Sequence, residues 1–369
     1  MNRIKVPFEQ IYDFDNCKRA IRNAAKKKKH RKFVINVLKN IDKYAMDLSE
    51  KLRTMTYELH TGIPAIINEG TQKKTRELSK PIFYPDQCLH WAVMQVLQPY
   101  FRASFYVYSC ASIPGRGTHK AKEIVQGFFK DLKGTKYCLQ FDIHHFYENV
   151  DKGILVQALQ RYIKDPRILK VLTDIVYSYK GSGLPIGYYP SPWLANFYLT
   201  ALDRYIKEKC GVKYMVRYMD NVVIYSSNKR HLSEVFNLVS VFLKTKLRLS
   251  IKGDWQKYKM PYKDKRGNIV DNRFTDFCGF KIYRYKTTIR RSIFTRIMRL
   301  LRKLKNGKYT LHRAYAFVSY RGYLLCTNSY NLFREYILNK INLKKLKEII
   351  RNESRYQNRK LRKTQPLCA

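Results

Sequence analysis

The chain has 369 residues, of which 73 are Lys or Arg and 28 are Asp or Glu, giving a formal net charge of +45. A hydrophobic content of 45% excludes a wholly disordered chain and allows two or three domains with cores of their own. The uncompensated charge opposes compaction and calls for a polyanionic partner, nucleic acid before any other. An aromatic content of 14% sets the chain apart from a ribosome-type structural protein and supplies rings on which bases can stack. Eight cysteines are scattered without a zinc-like spacing, and several sit inside apolar runs, as reduced, buried thiols do. No apolar run is long enough to span a bilayer, and Met1-Asn2-Arg3-Ile4-Lys5 lacks a signal-peptide core. A cytoplasmic protein with no membrane partner is expected.

Residues 9–59 read as helical. Ile11, Phe14, Cys17 and Ile21, then Phe33, Val37, Ile41, Tyr44, Leu48 and Leu52, recur at helical spacing. The basic run Lys26 to Arg31 between them either binds RNA or is a solvated connection. Residues 60–84 are β-like, and a helix is expected from Asp86 to about Tyr100. The loop from Ser109 to Ala121 contains Pro114, Gly115 and Gly117 and leads into a helix near 119–132, with Thr118 as its N-cap.

Tyr137-Cys138-Leu139-Gln140-Phe141-Asp142-Ile143 is an apolar strand ending in an acid. Helices follow near 151–162 and 166–179. After the loop Gly181 to Gly187, Ser191-Pro192 opens a helix through about Cys210, with Pro192 suited to the first turn. Tyr218-Met219-Asp220-Asn221 lies between two β-forming runs. It reads as a hairpin with Asp220-Asn221 at the tight turn, because Asp and Asn tolerate positive φ. A helix near 229–246 and strands near 248–253 and 276–290 complete this half.

Asp142 and Asp220 are two acids at strand ends that can meet on one face of a sheet. Rigid presentation of two carboxylates is what a two-Mg²⁺ phosphoryl-transfer site requires. From Lys281 to Tyr320 there are 12 Lys/Arg and no Asp or Glu. Ile293, Ile297, Leu300, Leu301 and Leu304 give this segment one apolar helical face, which leaves Arg296, Arg299 and Lys303 on a basic face suited to a phosphate backbone. The stretch from Arg351 to Lys363 is basic and is expected to be disordered without RNA.

Several of these motifs, taken in order, resemble the reverse transcriptases. They are Phe141-Asp142-Ile143 with Phe146-Tyr147, Gly183-Leu184-Pro185-Ile186-Gly187 with Ser191-Pro192 and Leu194-Ala195-Asn196, then Tyr218-Met219-Asp220-Asn221, then Phe277-Cys278-Gly279-Phe280. The resemblance spans roughly residues 60–345. Within that family the diversity-generating retroelement enzymes look most similar. Ile113 to Ala121 resembles their fingers loop, Ile186 to Ser191 their loop against the templating base pair, and Ser319-Tyr320-Arg321-Gly322-Tyr323 their thumb segment.

The resemblance implies an α+β right-hand polymerase. Its parts would be a helical N-terminal extension (1–59), fingers with part of the palm (60–135), palm (136–285, with a fingers insertion at 150–190), helical thumb (286–345) and a basic tail (346–369). The implied activity is RNA-directed DNA synthesis with two Mg²⁺, Mn²⁺ being an accepted substitute. Asp142, Asp220 and the Ile143 carbonyl are the implied metal ligands, with Asn221 beside them. Tyr147 resembles the steric gate against ribonucleotides, and Arg76 and Lys80 the triphosphate clamp. Ile186 and Gly187 would touch the nascent pair. Arg116, Ser191, Phe277 and Gly279 join Arg296, Arg299 and Lys303 as template or primer contacts. The implied partners are template RNA, the RNA/cDNA hybrid, dNTPs and an oligomeric small helical accessory protein. Two departures stand out: Ser191 is followed by Pro192 rather than Gln, and the second acid of the hairpin is the neutral Asn221. Error-prone copying in a retroelement is the leading expectation. A phage-defence or retron-like enzyme with a dedicated RNA is the second, and a non-catalytic RNA-binding scaffold the third.

Overall fold

The computed structural model describes residues 3–69, 74–338 and 340–362. Four helices open the chain: α1 (Glu9–Tyr12), α2 (Phe14–Ala24), α3 (Lys32–Lys39) and α4 (Ile41–Arg53). Their recurring apolar positions converge, so that Ile11, Cys17, Ile21, Val37, Leu48 and Leu52 are fully buried. Asp13 caps α2 by accepting from the Asn16 backbone N–H at 2.8 Å. An antiparallel hairpin follows, β1 (Ile63–Glu69) with β2 (Lys74–Lys80). Arg76 and Lys80 are four residues apart on β2 and share a face. A kinked turn, Phe83–Gln87, leads into α5 (Cys88–Ser104), and α6 (Thr118–Phe128) comes next. Thr118 is the first residue of α6 rather than its cap. Gly117 holds the cap position, which has no side-chain cap.

The central layer runs β3 (Tyr137–Asp142), α7 (Phe146–Asn149), α8 (Lys152–Tyr162), α9 (Pro166–Ser178), α10 (Ser191–Tyr198), α11 (Thr200–Arg204), β4 (Tyr214–Tyr218), β5 (Asn221–Ser226), α12 (Lys229–Lys246) and β6 (Gln256–Lys259). The single helix expected from Ser191 to Cys210 is broken into α10, α11 and the π-helical turn Tyr205–Lys209. Thr200 Oγ1 donates back to the Asn196 carbonyl at 3.2 Å, a bond that bends helices at this position. The expected strand at 248–253 is reduced to one bridge, Ile251 with Ile143. Arg248 has φ +49°, which ends an extended run.

The remaining elements are β7 (Tyr262–Lys263), β8 (Ile269–Val270), β9 (Thr275–Phe277), β10 (Phe280–Ile282), β11 (Thr287–Ile289), α13 (Arg291–Lys305), α14 (Leu311–Leu325), α15 (Tyr330–Tyr336) and α16 (Leu343–Arg362). The 276–290 run is thus three short antiparallel strands in the order β11-β10-β9. The basic C-terminal stretch is helical to Arg362, because Leu346, Ile349 and Ile350 pack against α13–α15. Residues 363–369 of the expected tail lie outside the described residues.

The four-stranded antiparallel sheet, in the order β4-β5-β3-β6, is covered on both faces. Leu139, Phe141, Val222 and Ile224 point into the larger, helical core. Cys138, Val223, Tyr225 and Tyr258 point into a second core with α6 and β9–β10. This period-2 division follows from the pleat. Arg217 shares the helical face with Met215, yet it is 0% exposed. Its guanidinium is answered at several points. Nε and Nη2 donate to Asp203 at 2.7 and 2.6 Å, and Nη1 donates to Asn196 Oδ1 at 3.1 Å and to the Met219 carbonyl at 2.9 Å. Asp203 comes from α11, which the break at Thr200 sets apart from α10.

Because Asp203 is 1% exposed, removing its charge strands a buried guanidinium. Asp203→Asn is expected to lower the unfolding free energy by about 3–5 kcal/mol. Chemical denaturation of wild type and variant measures this, and a loss under about 1 kcal/mol contradicts the role assigned to the pair.

Candidate active site

β4 and β5 form a two-residue hairpin in which Tyr218 pairs with Asn221. The turn is therefore Met219-Asp220 rather than Asp220-Asn221. Met219, not an Asx residue, takes the positive φ, +58°. That is the first central position of a type II′ turn, where glycine is usual. Here the strain is held by the Arg217 bond to the Met219 carbonyl and by burial of the Met219 side chain. The consequence is functional. Asp220 is carried at the tip, and Asn221 becomes the first residue of β5, paired across the sheet with Asp142. The Ile143 N–H donates to the Asp220 carbonyl at 3.3 Å, which ties the two acidic strand ends together.

Asp142, Asn221, Asp254, Asp276 and Arg290 line one cleft of about 670 Å³. Burial pushes the Asp142 carboxyl up to about 6, and the charges of Asp220 and Asp254 add to the effect against Lys252 and Arg290. Arg290 is engaged by Asp276, with Nε 2.7 Å from Oδ1. Asn221 Oδ1 is buried without a hydrogen-bond partner. Among the described residues no three His, Cys, Asp or Glu side chains converge to hold a metal by themselves. Asp142, Asp220 at the neighbouring strand end and the orphaned Asn221 oxygen could instead contribute donors. An all-oxygen, incomplete set suits a hard divalent cation that takes its other ligands from water and substrate.

Tyr147 packs beside the hairpin tip, its hydroxyl 3.7 Å from Met219 Sδ. Burial and the Asp220 charge raise its pKa. The Leu184 N–H donates to the Tyr147 carbonyl at 2.7 Å, so the following loop is referenced to the same residue. That loop also holds the first hairpin: Ser79 N–H donates to the Ile186 carbonyl at 2.9 Å. Gly187 has φ +121°, and a Cβ there would stand 2.4 Å from the Ser79 carbonyl oxygen, so only glycine allows the approach. Tyr188 OH accepts from Gly62 N–H at 2.9 Å, and Tyr189 stacks on Trp91 with centroids 3.7 Å apart. Ile186 is half-buried, and Arg76 and Lys80 are exposed on β2.

Other expected contacts fall elsewhere. Ser191 is 2% and Phe277 0% exposed, so neither side chain is available to a bound strand, and both serve packing. Gly279 occupies the β9–β10 turn after Cys278, with φ +84°, and a Cβ there would meet Ile293 at 2.6 Å. Arg116 Nη1 donates to the carbonyls of Tyr106 and Ser109, both at 3.0 Å. The guanidinium thus braces the strand-like segment beside β4. His144 and His145 are exposed, and His145 Nδ1 lies 2.9 Å from Glu148. Arg296, Arg299 and Lys303 line a groove between α13 and α14 with His312, Arg313 and Tyr320. Sequence reasoning missed Asp254 and the Asp203–Arg217 pair. Their only local signals are Lys252-Gly253-Asp254 ahead of a strand and a charged residue, Arg217, inside an apolar strand.

A sheet whose hairpin tip delivers one acid beside a second on the neighbouring strand, with helical segments before and after, is the architecture of a right-hand polymerase. The chain belongs to the family described as reverse transcriptase (RNA-dependent DNA polymerase), whose model matches residues 68–282. It is similar to the group II intron-encoded protein LtrA of Lactococcus lactis subsp. cremoris, 27% identical over 38% of this chain and 24% of that protein. It is also similar to protein YkfC of Escherichia coli, 24% identical over 37% of this chain and 38% of that one. An uncharacterized 91 kDa protein in the cob intron of Schizosaccharomyces pombe is 31% identical over 30% of this chain and 15% of that protein. The chain thus spans well under half the length of these curated relatives. Telomerase from Candida albicans shares the fold, with a TM-score of 0.50 at 12% identity, covering 85% of this chain and 60% of that one. Among the described residues no helix is long and apolar enough to cross a membrane.

The folded-state pKa of Asp142 lies above its ordinary value. The linked stabilisation is therefore present at low pH and lost as pH rises through about 6. Asp142→Asn removes this penalty. The variant is expected to melt above the cation-free wild type at pH 8, with the gap closing toward pH 4. Melting curves at both values test it; a gap that is constant with pH contradicts the buried, charge-crowded environment.

Proposed function

We propose that this chain copies a template RNA into cDNA with divalent cations held by Asp142, Asp220 and the Ile143 carbonyl. The supporting observation is the delivery of Asp142 and Asp220 to one end of the sheet, joined by the Ile143–Asp220 bond, with Asp142 sharing its cleft with Asn221, whose oxygen is orphaned. Bound cations, Mg²⁺ first, would activate the primer 3′-OH and neutralise the leaving pyrophosphate. The protein's own residues do the rest. Tyr147, packed on the turn, closes the space that a ribonucleotide 2′-OH would need. Arg76 and Lys80, on one face of β2, supply charge for a triphosphate. The α13–α14 groove supplies it for the hybrid's phosphates.

The finer reading is error-prone synthesis in a diversity-generating retroelement. Its support is Ile186, an aliphatic side chain on a loop fixed to both Tyr147 and β2. It packs against the nascent pair without a hydrogen bond, so correct geometry gains less over incorrect geometry. A missing bond of about 1–2 kcal/mol changes discrimination by roughly tenfold.

Primer extension on RNA with Mg²⁺ tests the chemistry. Asp142→Ala and Asp220→Ala are each expected to cut the rate about a thousandfold, equivalent to about 4 kcal/mol, while RNA binding persists. Near-normal cDNA from either variant overturns the site and leaves an RNA-binding scaffold as the reading.

Sequencing the cDNA tests the finer point. Wild type is expected to misincorporate most often opposite template adenines, and Ile186→Gln to lower that error about tenfold. Uniform accuracy in wild type replaces the retroelement setting with the defence-type one.

A further inference from the structure

The cleft holds a carboxylate for which the polymerase reading has no use. The β3–β6 ladder pairs Gln140 with Gln256. Beyond that pair the ladder opens, and Asp254 falls in the turn just before β6. The opening is fixed by backbone bonds: Lys252 N–H donates to the Asp142 carbonyl at 2.8 Å, and Ile143 bridges to Ile251. Asp142 therefore has Asn221 on its β5 side and Asp254 on its β6 side, and all three line the same cleft. Asn221 is neutral and its buried oxygen is unpartnered. Asp254 forms an exposed ion pair with the Lys252 ammonium. Exposed pairs of this kind are weakly held and open to exchange.

Resting on the polymerase reading above, we propose that Asp254 is a positioning residue that restores, from the opposite flank of Asp142, the negative charge missing at Asn221. It acts through the field at Asp142 and through bound water rather than as a direct ligand, consistent with the absence of a ready-made carboxylate cage among the described residues. Filling the cleft with nucleic acid and nucleotide excludes water and strengthens this field. The proposal explains how a hairpin with one acid can still recruit cations.

The test is equilibrium Mn²⁺ binding. Free Mn²⁺ is read by electron paramagnetic resonance with the full chain on primed RNA carrying a dideoxy-terminated primer and the next dNTP. Asp254→Asn is expected to raise the half-saturating Mn²⁺ concentration about fivefold, a size ordinary for coupled neighbouring charges. In an Asn221→Asp background the same change is expected to cost less than about twofold, because the charge is restored on the other flank. No shift in Asp254→Asn, or an equal shift in both backgrounds, overturns the proposal. So does a shift that vanishes in Lys252→Met, since Asp254 would then only neutralise Lys252. If wild type and Asn221→Asp both bind no Mn²⁺ and make no cDNA, it is the polymerase reading that fails.

Discussion

The Arg217–Asp203 pair is the constraint on which the active end of this protein depends. A guanidinium with no exposed surface must have every strong donor answered, or the fold loses several kcal/mol. Asp203 answers it bidentately, and the remaining contacts go to Asn196 and to the Met219 carbonyl. Asn196 in turn donates to the Ala111 and Pro192 carbonyls, both at 3.0 Å. The Arg217 backbone bonds Tyr108 and Cys110. One residue thus joins α10, α11, the 106–111 segment and the hairpin turn. The strained Met219 is the point where this rigidity is put to use, because it aims Asp220 toward Asp142.

Around that point the electrostatics are deliberately unbalanced. Asp142 is buried beside Asp220 and Asp254, with Lys252 and Arg290 in weaker opposition. The Asn221 oxygen finds no donor. Both features cost stability in the isolated protein, as groups held in place for a function commonly do. The strong positive charge of the remainder of the chain supplies the complementary field for a polyanion.

One loop ties Tyr147 to the first hairpin. Leu184 is bonded to Tyr147, Ile186 to Ser79, Tyr188 to Gly62, and Tyr189 is stacked on Trp91. Tyr147, β2 and Ile186 are therefore held in a single frame. A shift in any of these anchors is felt by all three.

Much of this was readable in the chain itself. Period-2 and period-3.6 patterns, together with acids at strand ends, set the strands β3–β5, most helices and the pair Asp142–Asp220, because these features are local. The family was legible from the order of its motifs. Features that depend on distant partners were not. Which residue of Tyr218-Met219-Asp220-Asn221 takes positive φ was decided by Arg217 and burial, against local propensity. The single helix from Ser191 was broken at Thr200, and the strand near 250 was reduced to the single Ile143–Ile251 bridge. Ser191 and Phe277 proved to be core, and Arg116 a brace, since burial is a property of the packed sheet and not of a motif. Asp254 came to share a cleft with Asp142 only through the turn that precedes β6. The sequence by itself determined which groups carry charge and which segments extend or coil. The tertiary structure alone decided which charges share a cleft, because that follows from strand register and long-range burial.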